Sequence, residues 1–259
     1  MRGFAIAAGL LTLATGMACS SSPEKGSGSG QGNQCNPCTD GGNQMGLAPA
    51  GSGHDSNPDG VAYPTPTGGY GHNARAGSVP GSIIANYKFL GYPNPLDTSA
   101  GLQTISLADY YDPCQKRHKM IHMTVAGVWC SPCNMETIDL VANAQTLAAD
   151  GIIVLQAIDD GGTEGVPATL TDLGYWVNVH YKGMTLPSPP AISVMLDPGN
   201  YNLGAFFQAN AIPWNANIDP RTMEVLTSGV GEVMVADIAA DLPLVQEKPL
   251  VTVPAGLCP

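Results

Sequence analysis

The sequence predicts an α/β domain with a central mixed β-sheet flanked by helices, preceded by a flexible N-terminal segment. Residues 23–82 contain 15 Gly, 7 Pro and 6 Ser among 60 residues, with few aliphatic side chains and no periodic pattern. This composition is typical of flexible tethers. From about residue 83 onward, short apolar runs alternate with stretches of helical character up to the C-terminus. Such alternation is typical of a sheet whose strands are joined through helices.

The individual elements follow from the local pattern. The run Ile152–Ile158 is almost entirely apolar, as in a strand that is buried on both faces. Gly151, directly before it, ends the preceding helix. We predict strands over 83–90, 120–128, 152–158, 191–196, 215–218 and 224–227, helices over 132–149, 169–181 and 203–210, a strand or helical turn over 105–111, and a final helix or strand–helix over 230–240. The order predicts a βαβ unit joined to a ββα unit that begins with a hairpin.

Composition excludes several classes of protein. The 32 Gly and 22 Pro among 259 residues argue against a coiled coil or a helical repeat. The formal charge of −11, with 10 Lys and Arg against 21 Asp and Glu, provides no basic surface for nucleic acid.

The N-terminus predicts export. Arg2 precedes an apolar run over residues 4–14 that is too short to span a bilayer. The following Gly-Met-Ala-Cys, ending at Cys19, and the three serines after it resemble a bacterial lipoprotein signal, in which the cysteine is lipidated. We therefore expect a signal peptide over 1–18, a tether over 19–82 and a domain over 83–259. An ordinary cleaved signal is the alternative, and both place the domain outside the cytoplasm, where disulfides persist.

Seven cysteines are present, and six remain if Cys19 carries lipid. Two local pairs have two residues between them, Cys35 with Cys38 in the tether and Cys130 with Cys133 in the domain. Cys114 and Cys258 are left over and can pair with each other as a structural disulfide. Cys35 and Cys38 can form a small local disulfide.

The chemistry is expected at Cys130 and Cys133, because they lie where a strong predicted strand meets a helix. A cysteine at a helix N-terminus faces free backbone N–H groups, which favour the thiolate. We expect Cys130 to be exposed as the nucleophile and Cys133 to resolve the mixed disulfide, with Pro132 suited to the first helical turn. A static structural disulfide and a Cys₄ zinc site with Cys35 and Cys38 are the alternatives.

The residues Trp-Cys-Ser-Pro-Cys at 129–133 resemble the Trp-Cys-x-Pro-Cys site of the thioredoxin superfamily. Glu136, three residues after the second cysteine, resembles the glutamate of the TlpA-type extracytoplasmic members. Residues 211–219 are similar to the family's cis-proline stretch. The resemblance covers about 83–240 and implies a thioredoxin-like fold without a prosthetic group. It implies that Glu136 relays a proton and that Pro213 is the cis-proline that docks the substrate backbone.

Other site residues follow from the same resemblance and its departures. Trp129 and Ile212 are expected to contact the substrate, Ile212 through its backbone. Trp214 stands where a small residue or Thr is usual, and we expect it to narrow the peptide groove. Thr124 replaces a buried Asp of cytoplasmic thioredoxins, which leaves Glu136 as the substitute proton acceptor.

The sequence thus predicts a lipid-anchored, extracytoplasmic thiol–disulfide oxidoreductase of protein substrates, favouring reduction and fed by a membrane redox donor. Three alternatives remain: a peroxiredoxin-like peroxidase, a copper chaperone of the same fold, and a binding module on an inactive scaffold. The spacing Cys114-x₃-His118-x₃-His122 is a possible metal pattern, but the basic residues around His118 oppose a cation, so we expect no metal there.

Overall fold

A mixed β-sheet lies at the centre of the computed structural model, which describes residues 46–67, 81–206, 211–247 and 258. Within these residues it has seven strands: β1 (Lys88–Tyr92), β2 (Gln103–Ser106), β3 (Met120–Gly127), β4 (Ile152–Asp160), β5 (Ile192–Leu196), β6 (Trp214–Asp219) and β7 (Glu224–Val230). Five helices accompany it: α1 (Ser131–Ala142), α2 (Ala144–Asp150), α3 (Leu170–His180), α4 (Val235–Ala240) and α5 (Leu242–Glu247). Short 3-10 turns cover Thr98–Ala100, Leu107–Tyr110, Pro198–Asn200 and Leu203–Ala205.

The strand order in the sheet is β2-β1-β5-β4-β3-β6-β7. Strands β3, β4 and β5 are parallel, and the helices α1, α2 and α3 provide the crossovers between them. Strand β6 is antiparallel to both β3 and β7. The predicted βαβ unit joined to a ββα unit is therefore confirmed. In the sheet, β3 lies between β4 and β6.

The central strands separate two apolar cores. Every residue of β3 is buried, and the alternation of its side chains sends Met120 and Ala126 to one core and Ile121 and Met123 to the other. The first core packs against residues of α1, α3 and α4. The first core also contains both cysteines of the 130/133 pair, so this face of the sheet carries the candidate site.

The predicted helix over 132–149 is two helices. Asn143 separates α1 from α2, with non-helical angles (φ −106°, ψ 16°), and its side-chain amide donates to the carbonyl of Asp139 at 2.9 Å. Asn competes with helical hydrogen bonding in this way, which explains the break. Gly151 ends α2 in the left-handed region (φ 76°), as the sequence predicted.

Other helices and strands also begin or end at residues that differ from the predicted ones. The first predicted strand, 83–90, begins only at Lys88, and Ile83 forms an isolated bridge with Glu224. The last predicted helix begins at Val235 because β7 continues to Val230. Of the predicted helix over 203–210, residues 203–205 form a 3-10 turn and 207–210 lie outside the described residues.

Residues 46–67 pack against the domain, so the prediction of a flexible tether is wrong for this stretch. Asn57 is 3% exposed, and its side-chain amide donates to the carbonyl of Tyr111 at 3.1 Å. Arg117 bonds to Asp59 at 2.7 Å. Val61 and Tyr63 also pack against the second core, so a few apolar side chains and several polar contacts hold a segment whose overall composition is that of a tether. The predicted signal, Cys19, Cys35, Cys38 and the other tether residues up to 45 and over 68–80 lie outside the described residues.

Cys114 and Cys258 form a disulfide that ties residue 258 to the segment before β3. No helix within 46–67, 81–206 and 211–247 is long and apolar enough to cross a membrane.

Candidate active site

Cys130 and Cys133 lie at the junction of β3 and α1 and are joined by a disulfide. Cys130 is the N-cap residue of α1, and the backbone N–H of Cys133 donates to its sulfur at 3.2 Å. Pro132 occupies the first helical turn. A thiolate at Cys130 of the reduced protein would face this N–H and the helix N-terminus, both of which favour the charged form.

Both sulfurs are closed to solvent, since Cys130 and Cys133 are each 1% exposed. The expectation that Cys130 is exposed at the strand end is therefore wrong. The chain before β6 lies against it, with the Ile212 carbonyl oxygen 3.6 Å from the Cys130 sulfur. The neighbouring Trp129 is 37% exposed and marks the open side of the site.

A glycine allows this close approach. A side chain on Gly127, the last residue of β3, would place its Cβ 2.8 Å from Ile212 Cδ1 and 3.0 Å from Trp129 Nε1. The Trp129 indole N–H donates to Asp160 Oδ2 at 2.9 Å, which fixes the ring against the end of β4. The sequence analysis missed both Gly127 and Asp160.

The Ile212–Pro213 peptide bond is cis, and the Pro213 carbonyl accepts a hydrogen bond from the Gly231 N–H at 2.9 Å. The backbone of Ile212, directly before Pro213, lies beside Cys130. Trp214, by contrast, is 2% exposed and belongs to the core on the opposite face of the sheet. The expectation that Trp214 narrows the peptide groove is wrong, because the alternation along β6 turns it away from the cysteines.

Glu136 lies one helical turn after Cys133 on α1 and is 1% exposed. Residues three apart on a helix are neighbours, so the two side chains share one face. Three donors reach its carboxyl group: Thr124 Oγ1 to Oε1 at 2.6 Å, and Asn215 Nδ2 and the Val233 N–H to Oε2 at 2.9 and 3.0 Å. Burial raises the pKa of Glu136, and the three hydrogen bonds partly oppose that shift.

The hydrogen-bonded row of polar side chains continues from Glu136 through Asn215 to a buried histidine. His122 on β3 is 1% exposed, with its Nε2 3.1 Å from Asn215 Oδ1 and its Nδ1 2.8 Å from Asn217 Oδ1. Asn217 in turn donates to Asp241 Oδ2 at 2.7 Å. Burial lowers the pKa of His122, while its hydrogen bonds with the two asparagines and the charge of Asp241 oppose that shift.

The sequence analysis did not predict this row of hydrogen-bonded polar side chains, although the spacing of the residues indicates it. His122 and Thr124 are spaced by two in an otherwise apolar strand, and Asn215 and Asn217 show the same spacing in β6. Since residues two apart in a strand face the same way, each pair predicts one polar side. Strands β3 and β6 are neighbours, which brings the two pairs together.

The possible metal pattern is not assembled in the structure. Cys114 is in a disulfide, and His122 lies between two side-chain amides. In the part of the chain that the structure describes, no group of three or more His, Cys, Asp or Glu side chains is arranged to hold a metal ion.

The structure of this chain is similar to several solved protein structures. The chain is similar to the pneumococcal exposed lipoprotein thioredoxin of Streptococcus pneumoniae, with 22% identity over 61% of this chain and 98% of that one, and a TM-score of 0.44. A secreted thiol-disulfide isomerase from Corynebacterium glutamicum has 23% identity over 56% and 78%, and a TM-score of 0.41. A DsbF homologue from Corynebacterium diphtheriae has 17% identity over 64% and 85%, and a TM-score of 0.43. No family model and no curated protein matches the sequence.

The mixed seven-stranded sheet of the described residues, with helices packed on it, confirms the central mixed sheet flanked by helices that the sequence predicted.

Proposed function

We propose that the protein is an extracytoplasmic thiol–disulfide oxidoreductase that exchanges disulfides with protein substrates through Cys130 and Cys133. The observation that supports this most strongly is the position of the pair. Cys130 caps α1, with the Cys133 N–H on its sulfur at 3.2 Å, and a buried carboxyl group lies one turn further along the helix. A structural disulfide requires neither the helix N-terminus nor the carboxyl group.

In the reductive direction, the Cys130 thiolate attacks one sulfur of a substrate disulfide. The substrate S–S bond breaks, one substrate sulfur leaves as a thiolate, and a mixed disulfide forms. Cys133 then loses its proton to Glu136 and attacks the Cys130 sulfur, which releases the second substrate thiolate. The substrate gains two electrons and the Cys130–Cys133 pair loses two, so another redox protein, in our proposal a membrane donor, must reduce the pair again.

The substrate is proposed to bind on the side where Trp129 is exposed. The Ile212 backbone lies next to Cys130, and an extended substrate segment can pair with it, as strands add to free backbone elsewhere. Pro213 shapes this backbone in our proposal. Since Cys130 is 1% exposed, substrate binding must also displace the chain that covers the sulfur.

The location and anchor rest on the N-terminal sequence. The apolar segment over 4–14 and the Ala-Cys before three serines support export and lipidation at Cys19. In this proposal the anchored chain faces the outside of the membrane, and the cysteines at 35 and 38 form a local disulfide. The favoured reductase direction rests on the resemblance to TlpA-type proteins.

Trapping the mixed disulfide tests the function. In a Cys133→Ser variant, Cys130 has no resolving partner, so incubation with a disulfide-containing peptide should give a stable 1:1 covalent adduct, detected by intact mass. The Cys130→Ser variant should give much less adduct. The double variant Cys114→Ser/Cys258→Ser is the control, because it removes a disulfide outside the site and should turn over without trapping. Equal adducts with Cys130→Ser and Cys133→Ser would refute the assignment of Cys130 as the nucleophile, and no adduct with either would favour a binding module.

A further inference from the structure

His122 is a buried titratable group that the proposed exchange reaction does not use directly. It lies in β3, eight residues after Cys114, on the same face as Thr124 and the cysteine pair. Each of its ring nitrogens faces the side-chain oxygen of an asparagine, at 3.1 and 2.8 Å. A neutral imidazole has only one N–H, so it can donate to only one of these oxygens.

The Asn215 side chain presents its oxygen to His122. The Asn215 side-chain nitrogen contacts the Gly231 carbonyl at 2.9 Å as well as Glu136 Oε2. A backbone carbonyl only accepts hydrogen bonds, so the NH₂ group must face Gly231 and the Asn215 oxygen must face His122. The Asn217 nitrogen likewise donates to Asp241, so the Asn217 oxygen faces His122 Nδ1, and a neutral ring can donate to only one of the two asparagines.

We propose that His122 is a positioning residue for Glu136. By donating its Nε2–H to Asn215, it holds that amide in the orientation that donates to the Glu136 carboxylate, and it thereby sets the pH dependence of thiol exchange at Cys130 and Cys133. This inference rests on the proposed function, but the contacts that carry it are independent of any substrate.

The far side of the ring provides the anchor. Asn217 contacts His122 Nδ1 and donates to Asp241 Oδ2 at 2.7 Å, and Thr227 Oγ1 donates to the same oxygen at 3.1 Å. The histidine is thus held from β6 on both of its nitrogens. Without the Nε2–H, the Asn215 oxygen has lost its donor, and only the Gly231 carbonyl then holds the amide in the orientation that donates to Glu136.

The carboxylates near Glu136 and His122 come from several elements of the fold. Glu232, which precedes α4, raises the pKa of Glu136 through its charge. Asp241 follows α4 and acts on His122 through Asn217. Asp139, on α1, accepts the Val235 N–H at 2.8 Å and so faces α4.

Two amide substitutions separate the roles of the two ring nitrogens. His122→Gln places an amide near the Nε2 position and can still donate to Asn215, whereas His122→Asn places one near the Nδ1 position and cannot. Ser193→Ala is the control. Ser193 lies on β5, away from the site, and its replacement removes hydrogen bonds with the Tyr110 hydroxyl and with the Pro93 carbonyl.

The readouts are the pH profile of dithiothreitol reaction with the Cys130–Cys133 disulfide and the titration of ¹³C-labelled Glu136 by NMR. Loss of one hydrogen bond to the carboxylate should raise the apparent pKa of Glu136 in His122→Asn by about one to two units. His122→Gln should restore a value close to that of the unmodified protein, and Ser193→Ala should not move it. An unchanged pKa in His122→Asn, or the same shift in both amide variants, would overturn the proposal.

The unmodified chain provides a second test, which holds even if the variants fail to fold. The ¹⁵N spectrum of the His122 ring should show Nε2 protonated at every pH at which the protein is folded. A neutral ring with its hydrogen on Nδ1 would overturn the proposal. If the unmodified chain shows no thiol exchange, the proposed function fails, while the Glu136 titration still decides the role of His122.

Discussion

Replacing Glu136 by Gln changes one buried carboxyl group into an amide of the same shape. The amide oxygen can take the Oε2 position and accept from Asn215 and the Val233 N–H, while its NH₂ group faces Thr124 Oγ1, which can accept a hydrogen bond as well as donate one. We therefore expect the variant to fold. What it loses is the ability to ionise.

The sign of the stability effect follows from the direction of the pKa shift. Burial raises the pKa of Glu136 in the folded protein above its ordinary value of 4.5. The unfolded chain therefore releases this proton at lower pH than the folded one. The contribution of Glu136 to stability is fully present below about pH 4.5 and is lost as pH rises through the folded-state pKa, by about 1.4 kcal/mol for each unit by which the two pKa values differ.

The assay is urea unfolding of both proteins from pH 4 to pH 8, with the disulfides intact. The free energy of unfolding of Glu136→Gln minus that of the unmodified protein should increase with pH above about 4.5 and level off above the folded-state pKa. Glu164→Gln, a change at an exposed carboxylate, should show no such rise. A difference that does not depend on pH would refute the account of a buried carboxyl group with a raised pKa. The variant should also exchange disulfides about 100-fold more slowly, because it lacks the proton acceptor.

Three further outcomes are expected. The Cys114→Ser/Cys258→Ser variant loses a disulfide that spans 144 residues, so chemical unfolding should show a loss of about 5 kcal/mol, whereas an unchanged midpoint would contradict a structural role. Tyr181→Phe removes one donor to Gln156 (3.0 Å), and it should cost about 1 kcal/mol in the same assay without changing thiol exchange. Asn57→Ala should expose residues 46–67 to limited proteolysis, and an unchanged cleavage pattern would contradict their packing against the domain.

The fold was predictable where the signal is local. The junction of β3 and α1 follows from an apolar run, a proline in the first turn and the cysteines at the cap, all within about fifteen residues. The hairpin of β6 and β7 and the end of α2 at Gly151 follow from neighbouring residues in the same way. Periodicity and capping depend on the adjacent chain, so the sequence carries them directly.

The misjudged features depend on contacts between distant segments. Cys130 is covered because the chain around Ile212, 82 residues away, lies against it. Trp214 faces the opposite core because alternation along β6 places it on the face away from Asn215 and Asn217, and which of these faces meets the cysteines depends on the pairing of β6 with β3. Residues 46–67 have the composition of a tether, because few of their side chains are apolar. Asn57 and its hydrogen bonds nevertheless contribute to holding them to the domain.

A redox titration of the Cys130–Cys133 pair tests the central proposal most directly. The purified unmodified protein is equilibrated with graded ratios of oxidised and reduced dithiothreitol or glutathione, and the thiols are alkylated and assigned to Cys130 and Cys133 by peptide mass. We expect a reversible two-electron couple below roughly −230 mV, the range of a protein reductant. A reversible couple above roughly −180 mV would contradict the reductase direction, and a pair that does not titrate reversibly would contradict the oxidoreductase itself.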